Sequence, residues 1–300
     1  MSYENIQVFI YESPDGLNME DAEMKKKHGN YTMINVNRIC PDLHLLDITS
    51  DPNPSNVYST AAMIDGSRFQ YNVLQKSTVT LYFWLQFTDF NDYAQKKSDI
   101  EDYFSQHAAY FISTSVHPGR TAKCHLNSIS IPKPDFGVHD VQFQVKFDND
   151  LGQWSTSPTS YIETHWNEKN WAYDLELPTK FSRHNQPTWQ LHQGSNHVYI
   201  PGSNVIKFSD PLKFLSLKIT GAGGSIKITN NTTNTSISAK GNDVNGSLVW
   251  TNLDLRKADG TPINQESDAL DFWLDGGFYN DIDVEGCNVY LDMSFYYAHY

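Results

Sequence analysis

The alternation of apolar and polar residues is clearest between residues 76 and 147. This stretch opens with residues 78–88, which are rich in β-branched and aromatic side chains and predict a strand. From Phe90 onwards the apolar positions recur every three or four residues, which predicts a helix. Asp89 is placed to cap the start of this helix, and charged residues such as Lys96 are expected on its solvent face.

Three more strands are predicted after the helix, at residues 110–114, 123–131 and 138–147. In the last of these, apolar and polar residues alternate strictly, so one face is expected to be buried and the other hydrated. A strand, one helix and several further strands predict an α+β domain, with one helix on an antiparallel sheet or split barrel. The turn residues at 148–152 end this first domain, which we place at residues 1–147.

The region before the central stretch also contains strand patterns. A first strand is predicted at residues 4–11, and further segments rich in apolar residues follow at 31–39, 43–48 and 69–74. Residues 51–56 are predicted to form a loop, because Pro52 and Pro54 lack the amide donor that a strand ladder needs.

The second half of the chain alternates between strands and turns. Glycine-rich residues 221–224 are predicted to form a turn between two of these strands. Short strands that follow one another without a helix predict a β-sandwich, which we place in a second domain at residues 148–300. The whole chain is therefore expected to be mainly β. The predicted strands lie at residues 211–220, 225–230, 235–239, 247–255, 270–274 and 288–297.

Both halves of the sequence resemble one protein family, the distal tail proteins of long-tailed phages (siphophages) that infect Gram-positive hosts. The N-terminal part of the resemblance is carried by six ordered features: residues 81–87, the helix that ends near His107, the Tyr-Phe-Ile run at 110–112, the turn at 118–120, the segment 129–132, and residues 141–147. The C-terminal part is carried by residues 225–237, 270–277 and 288–297, which are similar to the galectin-like domain of the same family.

The resemblance implies a structural role. Members of the family form a ring, expected to be hexameric, at the tail tip or baseplate of the virion. It implies contacts with the tail tube protein, the tail-associated protein and the receptor-binding protein, and DNA that passes through the channel without specific binding. In such rings the N-terminal strands and arms reach neighbouring subunits. The resemblance implies no enzymatic activity and no cofactor.

An alternative function comes from a region rich in tryptophan. The candidate sugar contacts are Trp154, Trp166, Trp171 and Trp189, which occur among several histidines. Such residues are typical either of a carbohydrate-binding module for host cell-wall polysaccharide or of the core and edges of a β-sandwich. The His-Asn-Pro-Arg and Trp-Gly-x-Glu stretches of true galectins are missing, which speaks against galectin-type sugar binding.

Composition and charge narrow the class of protein. The chain has 300 residues and a formal charge of −13, which disfavours a general nucleic-acid-binding surface. No apolar run reaches the roughly 18 residues that span a bilayer, and the N-terminus lacks the pattern of a signal peptide. We therefore expect the protein to be made and assembled in the cytoplasm of a bacterial host.

The sequence offers few residues for site chemistry. Cys40, Cys124 and Cys287 are too scattered for a disulfide framework or zinc site and are expected to be buried apolar residues. An acidic cluster between Asp268 and Glu285 lacks the spacing of a calcium loop, so no metal site is predicted. No nucleophile elbow, P-loop or dinucleotide-binding motif is present, and an enzyme is not predicted.

Overall fold

The computed structural model describes residues 8–12, 33–60, 67–106, 109–167, 171–182, 184–263, 267–268 and 272–300. It divides into two compact units: unit 1 comprises Met1–Trp154 and Ala298–Tyr300, and unit 2 comprises Ser155–Tyr297. Both are built mainly from antiparallel strands, which confirms the predicted fold class. Within the described ranges, no helix has the length and apolar character needed to cross a membrane.

Unit 1 is an antiparallel sheet with one long helix among its described residues. The strand order is β2-β1-β5-β6-β7-β4-β3. Its elements are β1 (Val8–Glu12), β2 (Met33–Asn35), a 3-10 helix (Val36–Arg38), β3 (Leu43–Ser59), β4 (Arg68–Gln86), α1 (Phe90–Ser105), β5 (Tyr110–Thr114), β6 (Arg120–Ser130) and β7 (Asp140–Asn149). The first residues of the strand predicted at 4–11 lie outside the described ranges.

The core of unit 1 follows from the period-two pattern of its central strands. In β7 the odd-numbered residues from Val141 to Phe147 are buried, as their alternation predicts. β4 pairs with this strand and turns Leu81, Phe83 and Leu85 to the same side, and the rings of Phe83 and Phe143 stack with centroids 5.4 Å apart. Buried residues of α1 cover this face, as the helical spacing predicts.

The start of α1 confirms the predicted cap at Asp89. One charged residue that is predicted to lie on the solvent face of α1, Lys96, is buried instead. The Asp89 carboxylate accepts hydrogen bonds from the backbone N–H groups of Asn91 and Asp92, at 2.8 and 2.9 Å. The prediction that Lys96 lies on the solvent face is wrong, because its side chain is only 9% exposed. Its ammonium group binds the carboxylates of Asp42, at 2.8 Å, and Asp92, at 3.0 Å, so these ion pairs satisfy the buried charge.

The loop predicted at residues 51–56 is also wrong, since β3 continues through it to Ser59. β3 is the edge strand of the sheet and pairs with β4 alone, so amide groups on its outer side need no partner in the ladder. Pro52 lies at a register shift between Asp51 and Asn53, where the ladder is interrupted. An edge strand tolerates proline under these two conditions.

The turn after β7 depends on a glycine. Gly152 has a φ of +67°, and its backbone N–H donates to the Asn149 carbonyl at 3.0 Å. A Cβ at this position would collide with the carbonyl oxygen of Gln75. The turn therefore packs closely against β4 because residue 152 has no side chain.

Unit 2 consists of antiparallel strands and two short helices among its described residues. Its main sheet has the order β10-β17-β12-β13-β14. Its elements are β8 (Trp154–Thr156, which begins with the last residue before the boundary), α2 (Thr159–Thr164), α3 (Trp171–Asp174), β9 (Gln190–Leu191), β10 (Gly194–Ile200), β11 (Ile206–Lys207), β12 (Leu215–Asn230), β13 (Thr235–Thr251), β14 (Asp254–Lys257), β15 (Ser267–Asp268), β16 (Trp273–Leu274), β17 (Phe278–Glu285), β18 (Asn288–Met293) and β19 (Tyr296–Tyr297).

The glycine-rich segment predicted as a turn lies inside β12. Ala222 and Gly223 stay paired with β13, between two register shifts that contain Gly221 and Gly224. These two glycines have φ values of +73° and +87°. Glycine therefore forms bulges here that bend a long strand without ending it. On one side of these bulges β12 also pairs with β18, and on the other side it pairs with β17.

The last residues of the chain belong to unit 1. The Tyr300 hydroxyl donates to the Ile48 carbonyl at 3.1 Å, and its ring lies 5.6 Å from that of Trp154. The Trp154 indole N–H in turn donates to the Ser50 hydroxyl at 3.0 Å. Unit 1 is therefore assembled from two separate parts of the chain.

We predict that Lys96→Met lowers the free energy of unfolding by about 1.5–3 kcal/mol, the range for hydrogen bonds to charged groups. The substitution keeps the aliphatic stem but removes the charge shared by Asp42 and Asp92. Urea unfolding of the whole chain at pH 7 measures this change. Lys97→Met is the matched control, because Lys97 is 35% exposed and lies 3.7 Å from Glu101. Equal losses in the free energy of unfolding from both variants would contradict the assignment of this stabilisation to the ion pairs of Lys96.

The difference in stability between the wild type and Lys96→Met should also depend on pH. Burial alone would lower the pKa of Lys96, but the hydrogen bonds to Asp42 and Asp92 outweigh it and raise the pKa above 10.5. The stabilisation is therefore complete below pH 10.5 and is lost as the pH rises through the raised value. The stability difference between the wild type and Lys96→Met should shrink at strongly alkaline pH.

Candidate assembly surfaces

The four tryptophans predicted as candidate sugar contacts are buried. Trp154, Trp166, Trp171 and Trp189 are each at most 3% exposed. Their indole N–H groups donate within the fold, to the Ser50 hydroxyl and to the carbonyls of Ser182, His165 and Tyr199, at 3.0 to 3.3 Å. A sugar platform needs open aromatic faces, so the structure does not favour the carbohydrate-binding alternative.

The histidines near these tryptophans have structural contacts or lie in solvent. His165 stacks on Tyr161 with ring centroids 4.0 Å apart, and His197 stacks on Tyr279 at 4.4 Å. His197 also hydrogen-bonds Asp281 at 2.6 Å through Nδ1. Across the described part of the chain, no three His, Cys, Asp or Glu residues come together in a way that could hold a metal. Asp271, a member of the acidic cluster, lies outside that part.

The three cysteines are buried free thiols, as predicted. Burial raises the pKa of Cys40 and of Cys287 to about 11, and it raises the pKa of Cys124 well above 9.0. Little thiolate forms at neutral pH, so these residues act as small apolar groups of the core.

A long exposed hairpin extends from the sheet of unit 1. β7 pairs with β4 only from Ser77 onwards, whereas β3 and β4 stay paired as far as Ser59 and Arg68. Residues 53–59 and 68–75 therefore form a two-stranded ribbon, which we call the arm. Most of its described side chains are exposed. An isolated two-stranded ribbon is marginally stable in water, so the arm is suited to gain support from another surface.

The described part of the arm contains an exposed aromatic pair. Tyr58 and Phe69 lie opposite each other across the ribbon, 54% and 52% exposed, and their rings meet edge to face at 5.9 Å. Arg68 is their exposed neighbour at the end of β4. Rings that are held together but half exposed are typical of residues that become buried in an interface.

A second exposed apolar surface lies at the other end of β4. A groove of about 690 Å³ is formed by the end of β4, the start of α1 and the loop of residues 132–139. Phe90 is 58% exposed, Phe136 is fully exposed at the tip of the loop, and Val138 is also exposed. Asp89, Lys133 and Asp135 contribute charged groups to the lining. We call this surface the groove.

Both surfaces escaped the reasoning from sequence. The arm is not evident in the sequence because Pro52 and Pro54 predict a loop there, and nothing in the sequence of residues 132–139 predicts a groove. The signal in the sequence is an apolar residue within each polar segment, Tyr58 in one and Phe136 in the other. Such residues are informative only once their exposure is known.

In unit 2, the carboxyl group of Glu163 is half-buried and has internal partners. The Tyr290 hydroxyl donates to Glu163 Oε2 at 2.9 Å. Desolvation raises the pKa of Glu163 above 4.5 even though Tyr290 and the backbone N–H of Trp189 donate to it. Asp292, close by, accepts from Lys218 at 2.6 Å and from the Ser160 hydroxyl at 3.0 Å. These contacts tie α2 to β18 and β12, which is a structural role.

Comparison with known proteins reveals the fold. No family model and no curated protein sequence matches this sequence. Among solved structures, the chain is similar to the Dit protein of phage SPP1, described as a paradigm of the hub adsorption apparatus in phages that infect Gram-positive bacteria. The two are 10% identical, the alignment covers 85% of this chain and 93% of the SPP1 protein, and the TM-score is 0.57. This chain has the fold of a distal tail protein.

The resemblance of the sequence to the distal tail family is thereby confirmed at the level of the fold. Two structures of the phage p2 baseplate in its activated conformation, with strontium and with calcium, also align with this chain. They are 9% and 8% identical, with TM-scores of 0.38, and cover 96% and 97% of this chain and 97% and 98% of theirs. Scores this low add no argument to the distal tail fold.

We predict that Glu163→Gln becomes more stable relative to the wild type as the pH rises. Because the pKa of Glu163 is raised in the folded state, its contribution to stability is present below pH 4.5 and lost as the pH rises through the raised value. Glutamine keeps the acceptor for Tyr290 without the buried charge. Thermal unfolding between pH 4 and pH 8 should show this divergence. The exposed Glu285→Gln is the control, and a parallel divergence there would contradict the cause.

Proposed function

We propose that this protein is a structural hub of a phage tail tip, in which copies of the chain form a ring. The observation that carries the proposal is the distal tail fold, shared over most of this chain and of the SPP1 Dit protein. The role is one of assembly, with surfaces that hold other proteins and perform no chemistry. The protein would reside in the virion, at the tail tip or baseplate, after assembly in the cytoplasm of the bacterial host.

The exposed surfaces of unit 1 support a ring. A closed ring needs a head-to-tail contact between two different surfaces of the same chain. Unit 1 offers two such surfaces, the arm and the groove, each with half or fully exposed aromatic rings. We therefore assign ring formation to the N-terminal domain, and propose a hexamer, as the resemblance implies.

The partners follow from the proposed position in the tail. The ring would join the tail tube protein on one side and the tail-associated protein on the other. We assign contacts with receptor-binding proteins to the galectin-like C-terminal domain at residues 148–300. The support for this assignment is the resemblance of its closing strands together with the distal tail fold.

We predict that the purified chain forms a ring with six times the 34.2 kDa mass of one copy. Light scattering coupled to size exclusion gives the mass, and negative-stain images show whether the particle is annular. A particle that stays monomeric at high protein concentration, or an open filament, would count against the hub.

The negative charge of the chain suits the wall of a channel through which DNA passes. The formal charge is −13 per copy, and we propose that part of it lines the opening of the ring. A negative wall would not hold passing phosphates.

We predict no retention of linear duplex DNA by the purified ring in a gel-shift assay, even at low ionic strength. Binding that weakens steeply with salt would reveal a basic surface and contradict this proposal.

A further inference from the structure

Three aromatic side chains of unit 2 meet beside an ammonium group. The ring centroids of Phe181 and Tyr199 lie 6.5 Å apart, and those of Tyr199 and Tyr279 lie 5.1 Å apart. The Nζ of Lys180 lies 4.9 Å from the centre of the Phe181 ring and 4.6 Å from the centre of the Tyr279 ring. We call the three rings the cage.

The cage is built on a pair of strands and a turn. Tyr199 of β10 and Tyr279 of β17 are register partners, so their side chains lie on the same face of the sheet. Phe181 comes from the turn of residues 178–181, in which its backbone N–H donates to the Pro178 carbonyl at 2.9 Å. Backbone hydrogen bonds therefore position all three rings.

A stacked histidine fixes the orientation of one ring. The His197 ring lies on that of Tyr279 with centroids 4.4 Å apart and planes only 3° apart. The Asp281 carboxylate in turn holds His197, at 2.6 Å from Nδ1. Because the Tyr279 ring is held in one orientation, it loses little freedom when the cage receives a cation.

The cage has the chemistry of a site for a cation. The negative face of an aromatic ring attracts an ammonium group within about 6 Å of its centre, and Lys180 meets this condition at two rings. Burial raises the pKa of Tyr199, and Tyr279 and the Glu176 carboxylate raise it further, so Glu176 adds negative potential at the cage. The three rings are neither fully buried nor fully exposed, so a ligand from solvent can reach them.

Lys180 is the internal occupant of the cage and can be displaced. Its side chain is exposed, and a flexible four-carbon stem lets the ammonium group move into solvent without a change in the fold. In water, the three N–H donors of a lysine ammonium are strongly hydrated. The methyl groups of a quaternary ammonium ion make no such hydrogen bonds, so this ion leaves water for an aromatic cage more readily.

We infer that the cage binds a quaternary ammonium ligand, which displaces the Lys180 ammonium and takes its place against Phe181, Tyr199 and Tyr279. This gives unit 2 a ligand site of its own, beyond the proposed role of the protein as a hub. All residues of the cage belong to one unit of one copy, so the inference does not depend on the ring.

Choline is the probe for this site. The whole chain should bind choline weakly, and Lys180→Ala should bind it about three- to tenfold more tightly, as expected when one competing cation–π contact is removed. Saturation-transfer NMR on the choline methyl signals measures both affinities at constant ionic strength. Lys133→Ala is the matched control and should leave the affinity unchanged, because Lys133 lies 6.0 Å from the Phe90 ring in unit 1. Equal affinities of the wild type and Lys180→Ala would overturn the inference.

Substitutions of a ring test whether the cage holds the cation. In the Lys180→Ala background, Tyr279→Leu should abolish choline binding, whereas Tyr279→Phe should retain it because the ring remains. Circular dichroism and melting temperature show whether each variant folds, and Phe181→Leu is the second variant if Tyr279→Leu unfolds. Arg183, which lies outside the described residues, is kept in every variant, so its charge does not differ among them. Binding that survives the loss of the ring would contradict the cage.

An uncharged ligand separates a cation site from an apolar pocket. The analogue of choline in which carbon replaces nitrogen has the same shape without the charge, and it should bind Lys180→Ala far more weakly than choline does. Equal binding of the two ligands would overturn the inference.

The mass of the same samples separates this inference from the proposed hub. A chain that stays monomeric and binds choline through the cage would support the cage and count against the ring. A ring whose Lys180→Ala variant gains no affinity for choline would overturn the cage and leave the proposed hub intact.

Discussion

The antiparallel ladder of β4 is the constraint on which unit 1 depends. From Thr78 to Leu85 this strand is paired on both sides and contributes its alternate side chains to the core. Before Ser77 it pairs with β3 alone and projects as the arm, and after Gln86 the chain enters the groove and α1. A single run of backbone hydrogen bonds thus stabilises the fold and sets the spacing between two exposed surfaces.

The polar groups buried in both units serve the fold. Lys96 joins the turn at Asp42 to the start of α1, and Asp292 joins α2 to β12 through Lys218. Each is satisfied by several partners, which is how a fold tolerates buried charge. The aromatic residues fall into two groups. The tryptophans of the 154–189 region fill cores, whereas Phe136 and the Tyr58–Phe69 pair are exposed to solvent.

This division of the aromatic residues between cores and exposed surfaces suits the proposed role in assembly. Exposed aromatic residues of unit 1 lie on the arm and on the loop of the groove. Both lie at the margins of a sheet whose central strands are paired on both sides. In the proposed ring, the paired sheet would hold both surfaces at a defined separation, so that a contact repeated from copy to copy keeps the same geometry.

The sequence by itself determined the elements whose signals are local. These are the start of α1 at the Asp89 cap, the buried alternation in β7, the strands at 225–230 and 235–239, the buried cysteines and the mainly β class. Only the tertiary structure decided whether Pro52 and the glycines at 221–224 end a strand or bend it, because that depends on the neighbouring strand. It also decided the burial of Lys96 and of the four tryptophans, and the exposure of Phe136, because burial depends on contacts between residues far apart in the chain.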